Sequence, residues 1–352
     1  MAGEVWVSRG DSLRSVVYRV IRGQARGVGP ALTRGLLQVL SWGYRGFLML
    51  VERSLQAGWF RPHRLTRPVV SVGNLTWGGT GKTPLAARLA SQLAARGGCR
   101  PAILTRGYGG DEPSVLRRLA PGVPVLVGAS RVATGRRAIR DGADLLILDD
   151  GFQHRRLHRD LDIVLVDSRA PFGNGYLLPR GSLREPPYHL RRAHVLVLTK
   201  ADRTTDVGRL ADHLRTLAPR AHIMAARYRP ESLVVWPSGE HEPLSILQGL
   251  AVAVVSGIAD PSSFEGLVTE LGAIPVLTRR FLDHHPYTRQ DIAEIVVACR
   301  RVGVARVITT LKDAVRFPEE TWSEMRVAVL HVALEITGEE ELLQRILALR
   351  HR

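Results

Sequence analysis

Residues 69–93 read VVSVGNLTWGGTGKTPLAARLASQL. A short apolar run rich in valine gives way to a Gly-rich turn and then to Ala and Leu at helical spacing, so the stretch predicts strand, turn and helix in direct succession. That order suits a phosphate-binding loop. Glycines let backbone N–H groups turn inward around phosphate oxygens, the following helix points its positive end at them, and a lysine reaches the outer phosphates. On this reading Gly78, Gly79, Thr80, Gly81, Lys82 and Thr83 form an ATP site in which Lys82 holds phosphate and Thr83 ligates Mg²⁺. The common pattern places a further glycine where this chain has Thr76, and Gly78 and Gly79 compensate for it.

Outward from that loop, short apolar strands alternate with helical stretches: PAILT at 101–105, VPVLVG at 123–128, DLLILDD at 144–150, DIVLVD at 162–167 and HVLVLTK at 194–200. The rhythm predicts an α/β fold, a P-loop NTPase-like, mostly parallel sheet with helices on both faces. Residues 222–243 alternate like a hairpin, and the strand-helix rhythm resumes with AVAVVSGIAD, AIPVLT and ARVITT. We therefore expect a basic N-terminal helical segment over 1–67, a kinase-like domain over 68–220, a hairpin-like linker over 221–245 and a second, smaller α/β lobe over 246–352.

The chain has 352 residues, 45% hydrophobic, enough to bury a core, and its two cysteines, Cys99 and Cys299, predict no disulfide framework. MAGEVWV has an acid where a signal peptide would carry positive charge, so no export is expected. The formal net charge of +16 points to an anionic partner, and half of it lies in residues 1–67, with eleven arginines against Glu4, Asp11 and Glu52. Residues 11–23 predict one amphipathic helix. A second is expected from Pro30 to Glu52, with Arg34, Gln38, Ser41, Arg45 and Glu52 on one narrow face and Leu36, Val39, Leu40, Phe47, Leu50 and Val51 opposite. Its charges interrupt the run expected of a spanning helix, which leaves two readings: a helix lying in a membrane interface, or one packed on its own domain.

The run DLLILDDGFQH, 144–154, ends an apolar strand in two carboxylates, and Asp149 or Asp150 would complete the acidic metal side of a phosphate loop. Asp111 and Glu112 in GYGGDEP, and Asp283, His284 and His285 in FLDHHPY, are candidates for handling the proton of an attacking hydroxyl. Only three lysines stand among 46 arginines, and Lys82, Lys200 and Lys312 all follow apolar strands. Where arginine carries nearly all positive charge, a retained lysine suggests a site that needs the compact ammonium. We expect Lys200 and Lys312 to be structural or to lie on the nucleotide side.

GNLTWGGTGKTP, TRGYGG, GDEP, DDGFQH, FGNGYLLPRGSLREP, DHHPY and TTLKDAVR, in this order from residue 73 to 316, resemble the motifs of the tetraacyldisaccharide 4'-kinase family, which phosphorylates the lipid A precursor. The resemblance implies an ATP-dependent kinase at the cytoplasmic face of the bacterial inner membrane, acting on the disaccharide 1-phosphate of lipid A with Mg²⁺. It implies that Asp111 activates the sugar 4'-hydroxyl while His284 orients Asp111. It also makes Arg106 and Arg131 anchors for phosphate, as arginine binds phosphate in a bidentate fork, and puts Asn174 beside the substrate. The chain departs from the family pattern in the fused GYGGDEP, in Leu311, and in Arg180 and Ser182. Two alternatives come from the residues themselves. TKAD at 199–202 resembles the base-reading element of a P-loop GTPase or assembly ATPase, with Thr199 in place of the guanine-reading Asn. The charge alone also suits a nucleic-acid-binding protein, but no zinc spacing, aromatic RNA signature or recognition helix accompanies it, so no nucleic acid is expected as partner.

Overall fold

The computed structural model describes residues 4–7, 27–59, 61–107, 110–318, 322 and 325–351. The helix expected over 11–23 lies outside the described residues. The strands, in chain order, are β1 (Glu4–Val7), β2 (Val69–Asn74), β3 (Pro101–Thr105), β4 (Val125–Val127), β5 (Leu145–Asp149), β6 (Leu161–Asp167), β7 (Val195–Thr199), β8 (His222–Trp236), β9 (His241–Glu242), β10 (Ala251–Ser256), β11 (Ile274–Arg280), β12 (Arg306–Thr309) and β13 (Arg326–Ile336). The helices are α1 (Val28–Gln56), α2 (Lys82–Ala95), α3 (Glu112–Leu119), α4 (Arg131–Arg140), α5 (Val207–Leu217), α6 (Pro261–Glu270), α7 (Arg289–Arg301), α8 (Leu311–Ala314) and α9 (Glu339–Ala348).

Two compact units account for these elements. The larger comprises residues 16–108, 116–228 and 334–352, the smaller residues 1–15, 109–115 and 229–333. The boundary thus falls inside β8, within the stretch expected as a linker, and inside β13. Residues 334–352, expected in the second lobe, belong to the larger unit. The reason is packing: Leu342, Leu343 and Ile346 of α9 are buried in one cluster with Leu85, Leu89 and Leu93 of α2, and Arg88 of α2 meets Glu339 in a two-pronged ion pair of 2.5 and 2.8 Å.

In the larger unit the strand order is β8-β7-β6-β2-β5-β3-β4, every neighbour parallel. These strands are apolar on both sides because both faces are covered. Val70, Val72, Ile103 and Ile147 face the helices α2 and α9, whereas Val69, Leu104, Leu146 and Leu148 face Ala138 of α4, and Val164, Leu196 and Leu198 face Leu214 of α5. In the smaller unit β1-β11-β10-β12-β13 run parallel, with α7 packed on one face through Ile292 and Ile295 and α6 on the other through Leu267 and Val268. The hairpin pattern of residues 222–243 is real at its end, where Leu233 and Val234 pair antiparallel with Glu242 and His241. At its start, residues 222–226 of β8 instead pair parallel with Val195–Thr199 of β7. Cys99 and Cys299 are buried free thiols.

Helix α1 packs on its own unit, in an inverted sense. It docks by its polar side: buried Ser41 donates to Leu177 O at 2.9 Å and accepts from Arg180 N at 3.0 Å, Tyr44 donates to Arg184 O at 2.8 Å, and Glu52 pairs with His189 at 3.1 Å. The apolar side is left outward, with Leu32, Leu36, Val39, Leu40, Trp42, Phe47 and Leu50 all more than half exposed. The helix is thus packed on its own unit, but through its polar side. Among the described residues no helix is long and apolar enough to cross a membrane.

Candidate active site

The candidate site of the larger unit grows out of β2. Parallel pairing sets Val72 opposite Asp149, so the C-terminal ends of β2 and β5 share one edge of the sheet, and residues 75–81 cross that edge before α2 begins. Two glycines make the crossing possible. Gly78 has φ of 134° and Gly81 a φ of 90°, backbone that side-chain-bearing residues rarely adopt. Gly81 also caps α2, and a Cβ there would stand 2.1 Å from Tyr228 Oη. The loop is pinned from outside by Trp77 N donating to Ser182 O and Arg184 N donating to Leu75 O, at 2.6 and 2.8 Å. The place of the absent first glycine, Thr76, bridges to Leu183 in the same clamp.

Inside the loop, Thr83 Oγ1 donates to Asp149 Oδ2 at 3.1 Å. Lys82 Nζ lies 3.5 Å from Gly78 O and 3.7 Å from Asp150 Oδ1. The two neighbouring aspartates are thereby divided. Asp149, almost wholly buried, faces the Thr83 hydroxyl, while Asp150 takes both prongs of Arg184, at 2.8 and 2.7 Å. Burial would raise the Asp150 carboxyl, but the hydrogen bonds from Arg184 and the charges of Lys82, Arg184 and Arg131 hold it down at about 2. Asn74 closes the network: its Nδ2 donates to Thr80 Oγ1 at 2.7 Å, its carbonyl accepts from Gln153 at 2.8 Å, and its Oδ1 accepts from Arg184. Thr83, in the first turn of α2, and Asp149, at the end of β5, are hard oxygen donors, a donor set that fits Mg²⁺, which completes its shell with water and substrate phosphate rather than with a protein cage.

Arg131, buried at the start of α4, acts electrostatically on both Asp150 and His154. Burial, joined by the charges of Arg131, Arg159, Arg156 and Arg106, pushes the His154 imidazole down to about 4. Arg106 and Arg131 therefore belong to one positive neighbourhood in the larger unit. Asn174 is exposed and bonds within its own loop, to Arg180 O at 3.3 Å. Thr199 of TKAD turns its hydroxyl back to Val166 O, and Lys200 pairs with Asp167 at 2.6 Å.

The smaller unit assembles a second constellation from residues 173 apart in sequence. Asp111, buried at the start of α3, lies 2.9 Å from His284 Nδ1 through Oδ1 and 3.5 Å from Arg316 Nε through Oδ2. Burial pushes the Asp111 carboxyl up, but the hydrogen bond and charge of His284, with Lys312 and Arg316, outweigh it and leave the carboxyl below its usual value. His284 sits at φ 62°, a strained backbone of the kind that gathers at functional sites. Beneath them Asp313, with no exposure, gathers Gly257 N, Tyr287 Oη, Thr310 Oγ1 and Arg316 Nη2 at 2.6–2.9 Å. The second histidine of DHHPY turns elsewhere: His285 stacks on Phe281 and meets Asp291, the N3 carboxylate of the α7 capping box closed by Thr288.

A family model described as LpxK, tetraacyldisaccharide-1-P 4'-kinase, matches residues 33–351. The chain belongs to the tetraacyldisaccharide 4'-kinase family. It is 38% identical to a tetraacyldisaccharide 4'-kinase of Anaeromyxobacter sp. (strain Fw109-5), across 94% of this chain and 96% of the relative. It is 42% identical to one of Geobacter metallireducens, across 81% of this chain and 89% of that one. Among solved structures, an "apo" form LpxK from Aquifex aeolicus in complex with ATP matches with a TM-score of 0.68 at 28% identity, covering 90% of this chain and 99% of that one.

Several residues of this kinase-family site were not singled out from the sequence. Arg184, Asn74 and Gln153 hold the phosphate loop, and Arg316, Asp313 and Tyr287 support Asp111. Each lies in or beside a family-like motif, the one signal that could have marked them. As residue types they carry none, least of all an arginine among 46.

Proposed function

We propose that this protein transfers the γ-phosphate of ATP to the 4'-hydroxyl of tetraacyldisaccharide 1-phosphate, the step that forms lipid IVA in lipid A biosynthesis. Family membership supports the reaction, and the observation that carries the mechanism is the Gly-rich loop with Thr83 and Asp149 hydrogen-bonded at its mouth. In this reading the backbone N–H groups of residues 78–83 and the start of α2 receive the phosphates. Lys82, released from the weak hold of Asp150, follows the transferring phosphoryl group. Thr83 and Asp149 hold Mg²⁺, which when bound neutralises charge on the outer phosphates. Asp150 stays with Arg184 and keeps Asn74 and the loop in place.

Asp111 is the group that takes the proton of the attacking hydroxyl, with His284 orienting it. Its depressed affinity for protons keeps it ionised at neutral pH, ready to accept. Arg131 and Arg106 provide positive charge for phosphate groups of either substrate. The outward apolar side of α1 rests in the interface of an anionic membrane, at the cytoplasmic face of the inner membrane, where an acylated substrate is found. Each basic residue near such a surface adds about 1 kcal/mol.

The test is transfer of labelled γ-phosphate from ATP to the tetraacylated disaccharide 1-phosphate in micelles with Mg²⁺. Wild type transfers label and Lys82→Ala does not; tight ATP binding by wild type without transfer would overturn the acceptor. For the surface, Leu36, Val39, Phe47 and Leu50 changed together to Gln should free the protein from anionic vesicles. Retention of that variant on vesicles would overturn the interfacial role of α1.

A further inference from the structure

Lys312 is the third lysine of the chain and stands in α8, a single turn whose start is fixed by Thr310 capping Asp313 N. Its Nζ lies 2.7 Å from Asp283 Oδ1 and 3.1 Å from His284 Nε2. On the opposite side of the same ring, His284 Nδ1 lies 2.9 Å from Asp111 Oδ1. An ammonium group has three donors and no lone pair. Where it meets an imidazole nitrogen, that nitrogen has to accept, and a nitrogen that accepts carries no proton. The remaining proton of the ring is then on Nδ1, where the Asp111 carboxylate receives it. Asp283 holds the lysine in place, and its other oxygen, 3.9 Å from Nε2, is too distant to draw a proton onto that nitrogen.

We propose that Lys312 is a positioning residue that fixes His284 as the neutral tautomer protonated at Nδ1 and so aims the Asp111 carboxylate. The charged groups facing the ring are Asp111, Asp283 and Lys312, with Arg316 on the far oxygen of Asp111. With Nε2 occupied by the ammonium, His284 has no nitrogen left to take a proton from substrate. It cannot serve as base or relay. Arginine or lysine could each supply donors at position 312, but an uncharged side chain without donors could not. This inference rests on the reading of Asp111 as the proton acceptor; the tautomer of His284 does not depend on that reading.

The experiment uses full-length protein labelled with ¹⁵N at histidine, with the His284 ring signals assigned by their loss in His284→Gln. Long-range ¹H–¹⁵N spectra near neutral pH should show His284 with a protonated Nδ1 and an unprotonated Nε2. In Lys312→Met, Asp111 still accepts from Nδ1 while nothing keeps Nε2 unprotonated, so the ring should gain a second proton at Nε2, and kcat should fall about 10- to 100-fold with KM for ATP unchanged, the scale expected of a misplaced catalytic group. Lys312→Arg, which still donates, should keep the wild-type tautomer. Asp283→Asn, which loosens the lysine without removing it, should give a mixture and serves where Lys312→Met does not fold. Wild-type His284 protonated at Nε2, or as imidazolium, would overturn the proposal, as would Lys312→Met with tautomer and kcat unaltered. Full activity of Asp111→Asn alongside the expected tautomer would instead overturn the role of Asp111 and leave the tautomer assignment standing.

Discussion

Replacing Arg184 by methionine keeps its length and removes its two prongs on Asp150, a change whose cost can be worked from the structure. The Asp150 carboxyl is held at about 2 against an ordinary 3.8, which at 1.36 kcal/mol per pH unit is about 2–2.5 kcal/mol of preference for the ionised, folded form. Lys82 at 3.7 Å and Arg131 supply part of this, so the share of Arg184 is about 1.5–2 kcal/mol. Both side chains are only about one-fifth exposed, which limits screening by solvent. The sign follows from the direction of the shift. A carboxyl with a depressed folded value stabilises fully above its unfolded value, near 3.8, and loses that contribution as pH falls through about 2, so at pH 7 all of it is present. The assay is a double-mutant cycle by urea unfolding near pH 7, with Arg184→Met, Asp150→Asn and the pair. A coupling of about 1.5–2 kcal/mol is expected. Coupling under about 0.5 kcal/mol, the level of an exposed ion pair, would refute the clamp.

Asp111→Asn should lower kcat by about 10²–10⁴, the usual contribution of a positioned base, while ATP affinity measured by titration stays unchanged. His154, pushed down to about 4, stays neutral in the fold and gains a proton on unfolding; stability should therefore fall as pH drops from the unfolded value near 6.5 toward 4. After discounting for a half-buried side chain the loss is about 1–2 kcal/mol, and His154→Gln should flatten that part of a stability-pH profile measured by urea unfolding. Gly81→Ala meets both a φ of 90° and the Tyr228 hydroxyl at 2.1 Å. It should cost about 1–3 kcal/mol and depress ATP binding, and adding Tyr228→Phe should recover the steric part in thermal unfolding while leaving the strain.

What the sequence made legible follows the range of the interactions involved. The phosphate loop is local: strand, glycines, Lys82 and Thr83 are consecutive, and β2 leading through Gly81 into α2 is where the sequence reading puts it. Asp149 was legible because it ends an apolar strand, but its separation from Asp150 depends on Arg184, which arrives from 34 residues away. Periodicity identified the polar stripe of α1, with Ser41 and Glu52 on it. It could not say which stripe meets protein, because 3.6-residue spacing reports a difference between two faces and not the medium against each. The approach of Asp111 to His284 rested on resemblance, since residues 173 apart leave no trace in local pattern. The return of α9 to the larger unit was missed for the same reason.

The scarcity of lysine in this protein has a practical consequence for amine chemistry. Each lysine is paired with an aspartate: Lys82 with Asp150, Lys200 with Asp167 and Lys312 with Asp283, and their side chains are 16%, 6% and 29% exposed. Apart from the amino terminus, an acylating reagent thus meets three recessed amines among 46 guanidinium groups that it does not modify. One of the three lies in the Gly-rich loop, one beside Asp111, the proposed proton acceptor, and one in neither. On the proposed roles, a single mass spectrum of the labelled protein would report separately on ATP at Lys82 and on acceptor near Lys312, with Lys200 as the internal reference for a folded chain.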